Sequence, residues 1–413
     1  MAKPRATILQ IIPRLDTGGA ELSAIEITEA IVRAGGRALV ATEGGRLAGK
    51  VTEAGGELVT FPAGTKNPVR ILTNARALVA LIGREGIDLV HARSRAPAWS
   101  ALIAARRAKV PFVTTYHGAY GENGQLKRLY NSVMARADLV IANSGYTGNL
   151  VRARYGTPED KVRVIHRGVD LHRYRPDAVA PERVAKLREA WGVTPDVPLV
   201  LQAARLTSWK GQAVLIEAAA RLRQQGRLAN AVVILAGDAQ GRDGYADGLR
   251  TRIHALGLDG TVRLVGHVED IAAAFVAARV TVIASTEPEA FGRTATEAQA
   301  MGCPVIATRI GAPPETVLAE PAVAPDAATG WLVPPGDAQA LAEALGAALA
   351  LPDAERKARE GRAASHVANH FSLEKMKRET LAVYDTLLGA GLGAAFDSAT
   401  NMRDFGAGTH PAA

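Results

Sequence analysis

Three observations predict an α/β protein made of two doubly wound parallel sheets. The chain has 413 residues, short β-rich runs alternate with helical patterns, and this alternation restarts midway. A chain of this length exceeds the usual size of one domain. Alternating strands and helices favour a parallel sheet with helices on both faces. The first series runs from residue 7 to residue 168 and the second from residue 198 to residue 335.

The predicted strands are short apolar runs bounded by turn residues. In the first series they lie at residues 7–13, 38–42, 56–62, 87–93, 111–117, 137–144 and 162–168. In the second they lie at 198–205, 231–238, 261–267, 280–285, 304–309 and 330–335. Helical periodicity between them is clearest at residues 21–35, 70–86, 212–226 and 270–278.

A segment between the two series is typical of a connection between domains. Residues 171–198 contain four prolines and no strand pattern. We therefore expect an N-terminal domain over residues 1–175 and a second domain over 176–372. A helix is predicted for 373–389, and residues 390–413 lack periodicity, so we expect them to be disordered.

The formal charge of +8 is concentrated in the first half. Residues 1–180 hold 26 Lys and Arg against 15 Asp and Glu. This bias favours an anionic partner, either lipid headgroups or a phosphorylated or carboxylated acceptor. Nucleic acid is a poor candidate, because the arginines are dispersed and aromatic residues make up 5% of the chain. The alternative explanation of the positive charge is an ordinary basic surface that binds no particular partner.

The cysteine content and the lack of long apolar runs indicate in which cellular compartment the protein is expected. Cys303 is the only cysteine and lies in an apolar segment, so an intrachain disulfide is excluded and a small buried side chain is expected. No apolar run is long enough to cross a bilayer, and the first ten residues are too polar for a signal peptide. We expect a cytoplasmic protein, with peripheral contact to the inner membrane as an extension of that expectation.

Two glutamates near the end of one predicted strand are the strongest chemical signal. Glu289 and Glu297 have seven residues between them and follow the apolar run 280–285. Ligands of open α/β sheets bind beyond the carboxyl ends of strands. Each carboxylate can accept two hydrogen bonds from a diol, which suits a hexose at Glu289 and a ribose at Glu297.

The residues between the glutamates admit a second explanation. Phe291 and Gly292 lie where backbone amides at a helix amino end would bind a diphosphate. Alternatively, Thr294 and Glu297 form a capping box, in which Glu297 only bonds a helix amide.

Further candidates follow other predicted strands. Arg205 and Lys210 lie five residues apart on one turn and are placed to bind a diphosphate. Gly18 and Gly19 precede a helix and would let backbone approach a phosphate or sugar, although tight turns use glycine for the same reason. His117 ends a strand and is the candidate for contact with the reacting sugar.

A neighbouring group of residues is more ambiguous. His91 also ends a strand, and we expect it to be a structural residue with satisfied hydrogen bonds. Arg93 and Arg95 beside it are candidates for binding an anionic acceptor. The sequence has no DxD pair, no HExxH motif and no histidine cluster, so no metal or other cofactor is expected.

The order and spacing of these motifs resemble the retaining nucleotide-sugar glycosyltransferases of the GT-B fold, including the group 1 glycosyl transferases of family 4. The likeness runs from TGGAE at residue 17 through TTYHG, VIHRGVD, AARLTSWKG and EAFGRTATEAQAMG to FSLEKMKRETLAVYDTLL. It implies two Rossmann-like domains facing a cleft, with helix 373–389 crossing back to the first. Arg167 and Ala312 depart from the family pattern, so sugar specificity is not transferred.

What the resemblance implies about roles follows the motifs. Glu289 binds the donor sugar, Glu297 the ribose, and Phe291 and Gly292 offer backbone contacts. Arg205 and Lys210 bind the diphosphate, which Gly18 and Gly19 abut, and His117 contacts the donor sugar near its anomeric carbon.

The implied reaction is metal-independent hexosyl transfer from a UDP- or GDP-sugar to an anionic envelope glycan or glycolipid, as in lipopolysaccharide core assembly. The alternatives are a nucleotide-sugar 2-epimerase, a two-domain dinucleotide oxidoreductase, and a noncatalytic glycan- or membrane-binding protein.

Overall fold

The chain folds into two compact units. The computed structural model describes residues 5–16, 18–118, 120–121 and 124–407, with side chains up to residue 401. Unit 1 comprises the described residues up to His166 and those from Glu374 onward, and unit 2 comprises Arg167–Leu373. The predicted architecture of two parallel α/β sheets is confirmed.

In unit 1 the described residues form a seven-stranded parallel sheet in the order β3-β2-β1-β4-β5-β6-β7. Each strand lies within a run predicted from sequence or extends it by one residue. The central strands β1, β4 and β5 are largely apolar because they are fully buried. The strands are β1 Thr7–Ile11, β2 Arg37–Thr42, β3 Glu57–Thr60, β4 Leu89–Ala92, β5 Phe112–Tyr116, β6 Leu139–Ala142 and β7 Val162–Val164.

Helices pack on this sheet as the alternating pattern predicts. Along the chain they are α1 Gly19–Arg33, α2 Gly49–Glu53, α3 Pro68–Glu85, α4 Arg95–Ala108, α5 Gln125–Asn131 and α6 Gly145–Tyr155, with α15 Leu373–Leu388 and α16 Leu392–Ala407 returning from the C-terminal end. The core between them contains mainly aliphatic side chains from β1, β2, β4 and α4.

Unit 2 repeats the design with a six-stranded parallel sheet in the order β10-β9-β8-β11-β12-β13. Its strands are β8 Leu199–Ala203, β9 Val232–Ala236, β10 Val262–Gly266, β11 Val280–Ile283, β12 Val305–Thr308 and β13 Gly330–Val333. Its helices are α7 Pro181–Ala190, α8 Gln212–Gln224, α9 Asp243–Ala255, α10 Ile271–Ala277, α11 Arg293–Ala300, α12 Pro313–Thr316, α13 Ala338–Ala350 and α14 Asp353–His370. The strand order reverses between β8 and β11, which is where ligands bind in such sheets.

The segment expected to connect the domains is part of unit 2. Residues 171–198 contain no strand, as predicted, but they include helix α7. Tyr174, Trp191 and Val193 are buried in the core of unit 2. Arg188 donates hydrogen bonds to the carbonyls of Ala277 at 3.0 Å and of Val197. The segment is therefore ordered by packing, and the units divide at residue 166 instead of at residue 175.

The expectation of a disordered tail from residue 390 is wrong for residues 392–407, which form helix α16. Leu392 and Phe396, one helical turn apart, are buried, at 0% and 1% exposure. The Asp385 carboxylate accepts hydrogen bonds from the amides of Leu392 and Gly393, each at 2.8 Å, and so caps the helix. The Arg33 guanidinium covers the Phe396 ring at 4.0 Å. Residues 408–413 lie outside the described residues.

No helix among the residues that the structure describes combines the length and apolar character needed to cross a bilayer.

The packing of α16 can be tested at Phe396. Replacing Phe396 with Ala should lower the free energy of unfolding of unit 1 by about 3–5 kcal/mol, because it removes a buried ring. The matched control is Asp397→Ala, which removes an exposed ion pair with Arg378 at 2.8 Å and should cost under about 1 kcal/mol. Urea denaturation followed by circular dichroism measures both. Equal losses for the two variants would contradict the docking of α16.

Candidate functional site

The candidate site lies in unit 2 where β8 and β11 run side by side. The two strands pair in parallel, with Val200 opposite Val280 and Leu201 opposite Thr281. Their carboxyl ends therefore meet at one edge of the sheet, at the reversal of strand order. The loops that leave these two ends carry Lys210 and Glu289.

Lys210 lies on a tightly held turn after β8. Residues Ser208–Lys210 form one turn of 3-10 helix, and Gly211 ends it with φ 71°. The Lys210 carbonyl accepts a hydrogen bond from Gln202 Nε2 at 2.7 Å, and the Trp209 carbonyl accepts one from the Thr286 amide at 2.7 Å. The Lys210 ammonium lies 4.2 Å from the centre of the Trp209 ring. The backbone on both sides of Lys210 is therefore fixed.

Glycine is required at position 211 for two reasons. Its φ is unfavourable for residues with a side chain. A Cβ atom there would also lie 1.8 Å from the Ala284 carbonyl oxygen. The turn that carries Lys210 therefore packs directly on the chain leaving β11.

Glu289 sits opposite Lys210 and is almost fully buried. Its side chain is 9% exposed and that of Lys210 is 18% exposed, and the two form an ion pair through Glu289 Oε1. Ser285 Oγ donates a hydrogen bond of 2.6 Å to the same oxygen. None of the described residues donates a hydrogen bond to Glu289 Oε2. One carboxylate oxygen is thus held by the protein and the other is left for a ligand.

The backbone of Glu289 is fixed by the next loop. Its carbonyl accepts a hydrogen bond of 2.9 Å from the Ala312 amide. Gly311, with φ 80°, lies so close that a Cβ atom there would be 2.3 Å from the Glu289 carbonyl oxygen. Ala312, where the family pattern has a glycine, is fully buried at 0% exposure.

These groups surround a cavity of about 190 Å³. That volume is below the roughly 300–1,000 Å³ of sites for drug-sized ligands, so it suits one sugar ring or phosphate group. Gln202, only 2% exposed, lines the cavity, and its Oε1 accepts no hydrogen bond from the described residues. The lining comprises Gln202, Ala203, Ala204, Lys210, Val282, Ile283, Ser285, Glu289, Gly292, Arg293 and Thr294.

The amino end of helix α11 opens on the same cavity. Gly292 is the N-cap residue, with φ 82°, and no side chain caps the helix. The capping box suggested by Thr294 and Glu297 is therefore not formed. Glu297 pairs instead with Arg293, one turn earlier, at 3.3 Å. The uncapped amides of this helix end provide partial positive charge for an anion.

The predicted residues of unit 2 are thus brought together only in part. Lys210, Glu289 and Gly292 line one cavity. Phe291 is buried in the core with its ring 5.9 Å from that of Phe371, so any contact with a ligand falls to its backbone. Glu297 is outside the cavity lining; burial, and secondarily its charge, raises the pKa of Tyr174 to about 12.

Arg205 is exposed and does not line the cavity. Its carbonyl accepts a hydrogen bond of 3.0 Å from Gln212 Nε2, and Gln212 is in turn held by the Tyr245 hydroxyl at 3.1 Å. The roles assigned to Arg205 and Glu297 stay predictions.

The candidates of unit 1 lie at the ends of its strands. Gly18 is the N-cap of α1, with φ 149°, and Gly19 is the first residue of that helix. His117 follows β5, and its carbonyl accepts a hydrogen bond of 3.4 Å from Asn143 Nδ2. Their positions agree with the sequence analysis, and their roles stay predictions.

His91 is a structural residue, as expected. Its ring nitrogens contact the Tyr384 hydroxyl and the Thr115 hydroxyl, each at 2.7 Å, and it is fully buried. Burial, with the nearby charge of Arg93, holds the pKa of His91 well below its usual value, so the ring is neutral.

The suggestion that Arg93 and Arg95 bind an acceptor is wrong for Arg93. It is 3% exposed and donates a hydrogen bond of 2.6 Å to Gln10 Oε1. Arg95 donates one of 2.7 Å to Asn131 Oδ1 and lies over the Tyr120 ring at 3.9 Å.

Cys303 is a buried structural side chain, as expected. Its sulfur lies 3.2 Å from Thr281 Oγ1, and burial raises the pKa of the thiol to about 12. Over the described part of the chain, no three His, Cys, Asp or Glu side chains lie close enough together to hold a metal ion. Metal-independent chemistry stays a prediction.

Four residues that line the cavity or contact Lys210 were not predicted from sequence: Gln202, Ser285, Trp209 and Arg293. Gln202 carried a signal, because it is a polar residue within the apolar run of β8. Ser285 carried a weaker one, because it directly follows β11.

Comparison with known proteins gives consistent matches. Residues 17–173 match the family model described as Glycosyltransferase Family 4, and residues 184–365 match that of Glycosyl transferases group 1. A D-inositol 3-phosphate glycosyltransferase of Xylanimonas cellulosilytica is 32% identical over 315 residues, which cover 72% of this chain and 71% of that protein.

Solved structures agree with these matches. A glycosyltransferase of Rickettsia africae is 34% identical with a TM-score of 0.85, over 93% of this chain and 98% of that one. Anabaena HepE, solved in complex with UDP-glucose, is 27% identical with a TM-score of 0.77, over 92% of this chain and 100% of that one.

The close packing at position 211 yields a test of the site's framework. Gly211→Ala should destabilise the protein by several kcal/mol, because its Cβ meets the Ala284 carbonyl oxygen. The matched control is Gly226→Ala, which has a similar φ of 67° but no atom within 4 Å of the added Cβ and should cost about 1–2 kcal/mol. Thermal or urea unfolding compares the two variants. If Gly211→Ala is no worse than Gly226→Ala, the described packing of the Lys210 turn is incorrect.

Proposed function

Because the chain belongs to the family 4 and group 1 glycosyltransferases, we propose that it transfers a hexose from a nucleoside-diphosphate sugar to an anionic acceptor. The transfer retains the anomeric configuration and needs no metal ion. The observation that carries this proposal is the buried cluster of Lys210, Glu289 and Ser285 beside the amino end of α11. It combines a fixed cation, a carboxylate with one open oxygen and a set of uncapped amides.

The polar groups around the cavity suit a sugar. Glu289 Oε2 is available to accept hydrogen bonds from sugar hydroxyls. Gln202, a residue of the cavity lining, has a buried Oε1 that accepts no hydrogen bond from the described residues, and we propose it as a further acceptor. Hydroxyl groups donate to both. An apolar ligand would leave these two acceptors unsatisfied, which is costly in a buried site.

The charged groups suit a diphosphate. Lys210 and the amides at the Gly292 end of α11 line the cavity together and would neutralise a phosphate group. We propose that Arg205, which is exposed five residues before Lys210 in the segment after β8, adds a second cation for the diphosphate. Fixed positive charge stabilises the negative charge that develops on a departing diphosphate.

We propose the following reaction at this site. The bond between the anomeric carbon and the diphosphate oxygen breaks, and the acceptor oxygen bonds to the same face of the sugar. The departing phosphate oxygen takes the acceptor's proton. Lys210 and the helix end stabilise the leaving group, and Glu289 orients the sugar through its hydroxyls.

Two acceptor classes fit the positive charge of the first half of the chain. One is an envelope glycolipid, as in lipopolysaccharide core assembly, and the other is a phosphorylated polyol. The name of the Xylanimonas relative, a D-inositol 3-phosphate glycosyltransferase, favours the second class. The complex of HepE with UDP-glucose favours UDP-glucose as the first donor to test.

The roles of the ion pair can be tested with neutral replacements of similar size. Each single replacement leaves the other member of the pair without its charged partner, so folding is measured beside activity. Lys210→Met and Glu289→Gln should each lower kcat by about 10²–10³, because each removes a contact to the reacting donor. The exposed residues Lys357 and Glu182 provide matched controls, Lys357→Met and Glu182→Gln, which should keep the parent rate. Thermal unfolding monitors folding throughout. A normal rate in either cavity variant would refute its assigned role.

The reaction class can be tested with a panel of donors and acceptors. UDP-, GDP- and ADP-glucose would each be incubated with inositol 3-phosphate, a phosphorylated core glycolipid and neutral disaccharides. We expect one donor to raise the melting temperature and an anionic acceptor to be glycosylated, with an α-linked product by NMR and an unchanged rate in EDTA. A β-linked product, loss of activity in EDTA, or turnover of neutral acceptors alone would each refute the corresponding part of the proposal.

A further inference from the structure

The most exposed large apolar side chains among the described residues lie on two helices of unit 1. Leu126 and Leu129 on α5 are 84% and 52% exposed, and Val69 and Leu72 on α3 are 70% and 50% exposed. The other exposed large apolar side chains are all at 39% or less. In both pairs the residues are three apart, so they are neighbours on one helix face. Each helix therefore presents two adjacent aliphatic side chains to solvent.

These two pairs are held on either side of α4. Trp99 Nε1 donates a hydrogen bond of 3.1 Å to the Tyr130 carbonyl, next to Leu129. Ser100 Oγ donates one of 3.1 Å to the Ile71 carbonyl, next to Leu72. Because Trp99 and Ser100 are consecutive, the two pairs lie within about one to two helix diameters, ~10–20 Å, of each other. We call Val69, Leu72, Leu126 and Leu129 together the α3–α5 face.

The segments that carry the α3–α5 face are predominantly basic. Residues 66–85 and 124–137 contain seven basic residues and one acidic residue, Glu85, which pairs with Arg37 and Arg84. All seven are exposed: Lys66, Arg70, Arg76, Arg84, Lys127, Arg128 and Arg136. Some of the basic groups alternate directly with the apolar ones, as Arg70 lies between Val69 and Leu72, and Lys127 and Arg128 lie between the two leucines.

We infer that the α3–α5 face binds the surface of an anionic lipid bilayer. Exposed aliphatic side chains interleaved with Lys and Arg are typical of segments that lie in a membrane interface, where the apolar groups enter the acyl boundary and the cations meet the headgroups. A protein interface would instead concentrate aromatic side chains and Met at its centre, whereas the four exposed apolar residues here are all aliphatic. Nucleic acid binding would call for aromatic side chains for stacking, and the four exposed apolar residues are all aliphatic.

A membrane-bound protein would meet a lipid-linked anionic acceptor in the same membrane surface. This link to the acceptor rests on the proposed function, whereas binding to the membrane does not. Membrane binding itself is measured without donor, acceptor or turnover. The two proposals can therefore fail separately.

The test is sedimentation of the full chain with lipid vesicles. We expect binding to vesicles that contain phosphatidylglycerol and at least tenfold weaker binding to phosphatidylcholine alone. Raising the salt from ~0.1 M to ~0.5 M should weaken the binding, because it shortens the range of the electrostatic attraction. Equal binding to both lipids, or no binding to either, would overturn the inference.

Paired variants identify the surface. Leu126→Ser with Leu129→Ser should weaken binding at least tenfold, and Lys127→Ala with Arg128→Ala by about 25-fold, at about fivefold per cation. The matched controls are in unit 2: the exposed Leu256→Ser, and Arg221→Ala with Arg223→Ala on α8. These should bind as the parent does.

The outcomes separate a membrane from a protein partner. Parent-like binding by either α5 double variant, with thermal unfolding unchanged, would overturn the assignment of the surface. If vesicles are not bound and Leu126→Ser with Leu129→Ser instead abolishes a dimer seen by ultracentrifugation, the face is a protein interface and the membrane assignment is wrong.

Discussion

The buried ion pair between Lys210 and Glu289 is the constraint on which the candidate site depends. Taking two charges out of water costs several kcal/mol per ion, and replacing such a pair by apolar residues is often neutral or stabilising. Here the pair is supported by Ser285 and by carbonyl contacts on both loops. Such an arrangement adds little to stability, so a role in binding explains it better. The pair holds the cation and the carboxylate at fixed positions before any ligand arrives, which lowers the reorganisation needed on binding.

Two close backbone contacts fix the loops that carry this pair. Gly211 packs on the Ala284 carbonyl and Gly311 on the Glu289 carbonyl, and neither position has room for a Cβ atom. The loops after β8, β11 and β12 are therefore locked to one another at the reversal of strand order. Because the loops are fixed to the sheet, the side chains they carry are held in defined positions, as an accurate binding site requires.

A comparison of two buried polar residues separates a structural role from a binding role. His91 uses both ring nitrogens within unit 1, so it has no hydrogen-bonding capacity left for a ligand. Gln202, which lines the cavity, bonds the Lys210 carbonyl through Nε2, and its buried Oε1 accepts no hydrogen bond from the described residues. Both follow the same sequence pattern, a polar residue in a buried strand. What distinguishes them is the contacts made by other elements: Tyr384 on α15 and Thr115 on β5 for His91, and the Lys210 turn for Gln202. These contacts join residues that are distant in the sequence, so the sequence pattern alone does not separate the two roles.

The same reasoning explains which parts of the fold could be predicted. The central strands were located because parallel strands buried on both faces produce short apolar runs, and the less buried edge strands β3, β7 and β10 still alternate with helical patterns. Glu289 and Lys210 were found because they lie in the segments that follow β11 and β8. Helix α16 was missed because its buried face consists only of Leu392 and Phe396, with glycine and alanine around them. The packing of segment 171–198 was missed because its prolines indicated a linker, although Trp191 is buried in the core. Local patterns predict elements that bury a continuous stripe, whereas elements held by one or two anchors depend on distant partners.

The surface proposed to bind a membrane and the cavity proposed to bind the donor belong to different units. The α3–α5 face belongs to unit 1 and the cavity of Lys210 and Glu289 belongs to unit 2, and they share no residue. Free-energy changes at sites without shared partners are usually additive. Evolution could therefore alter the affinity for a surface without altering donor chemistry, and the reverse.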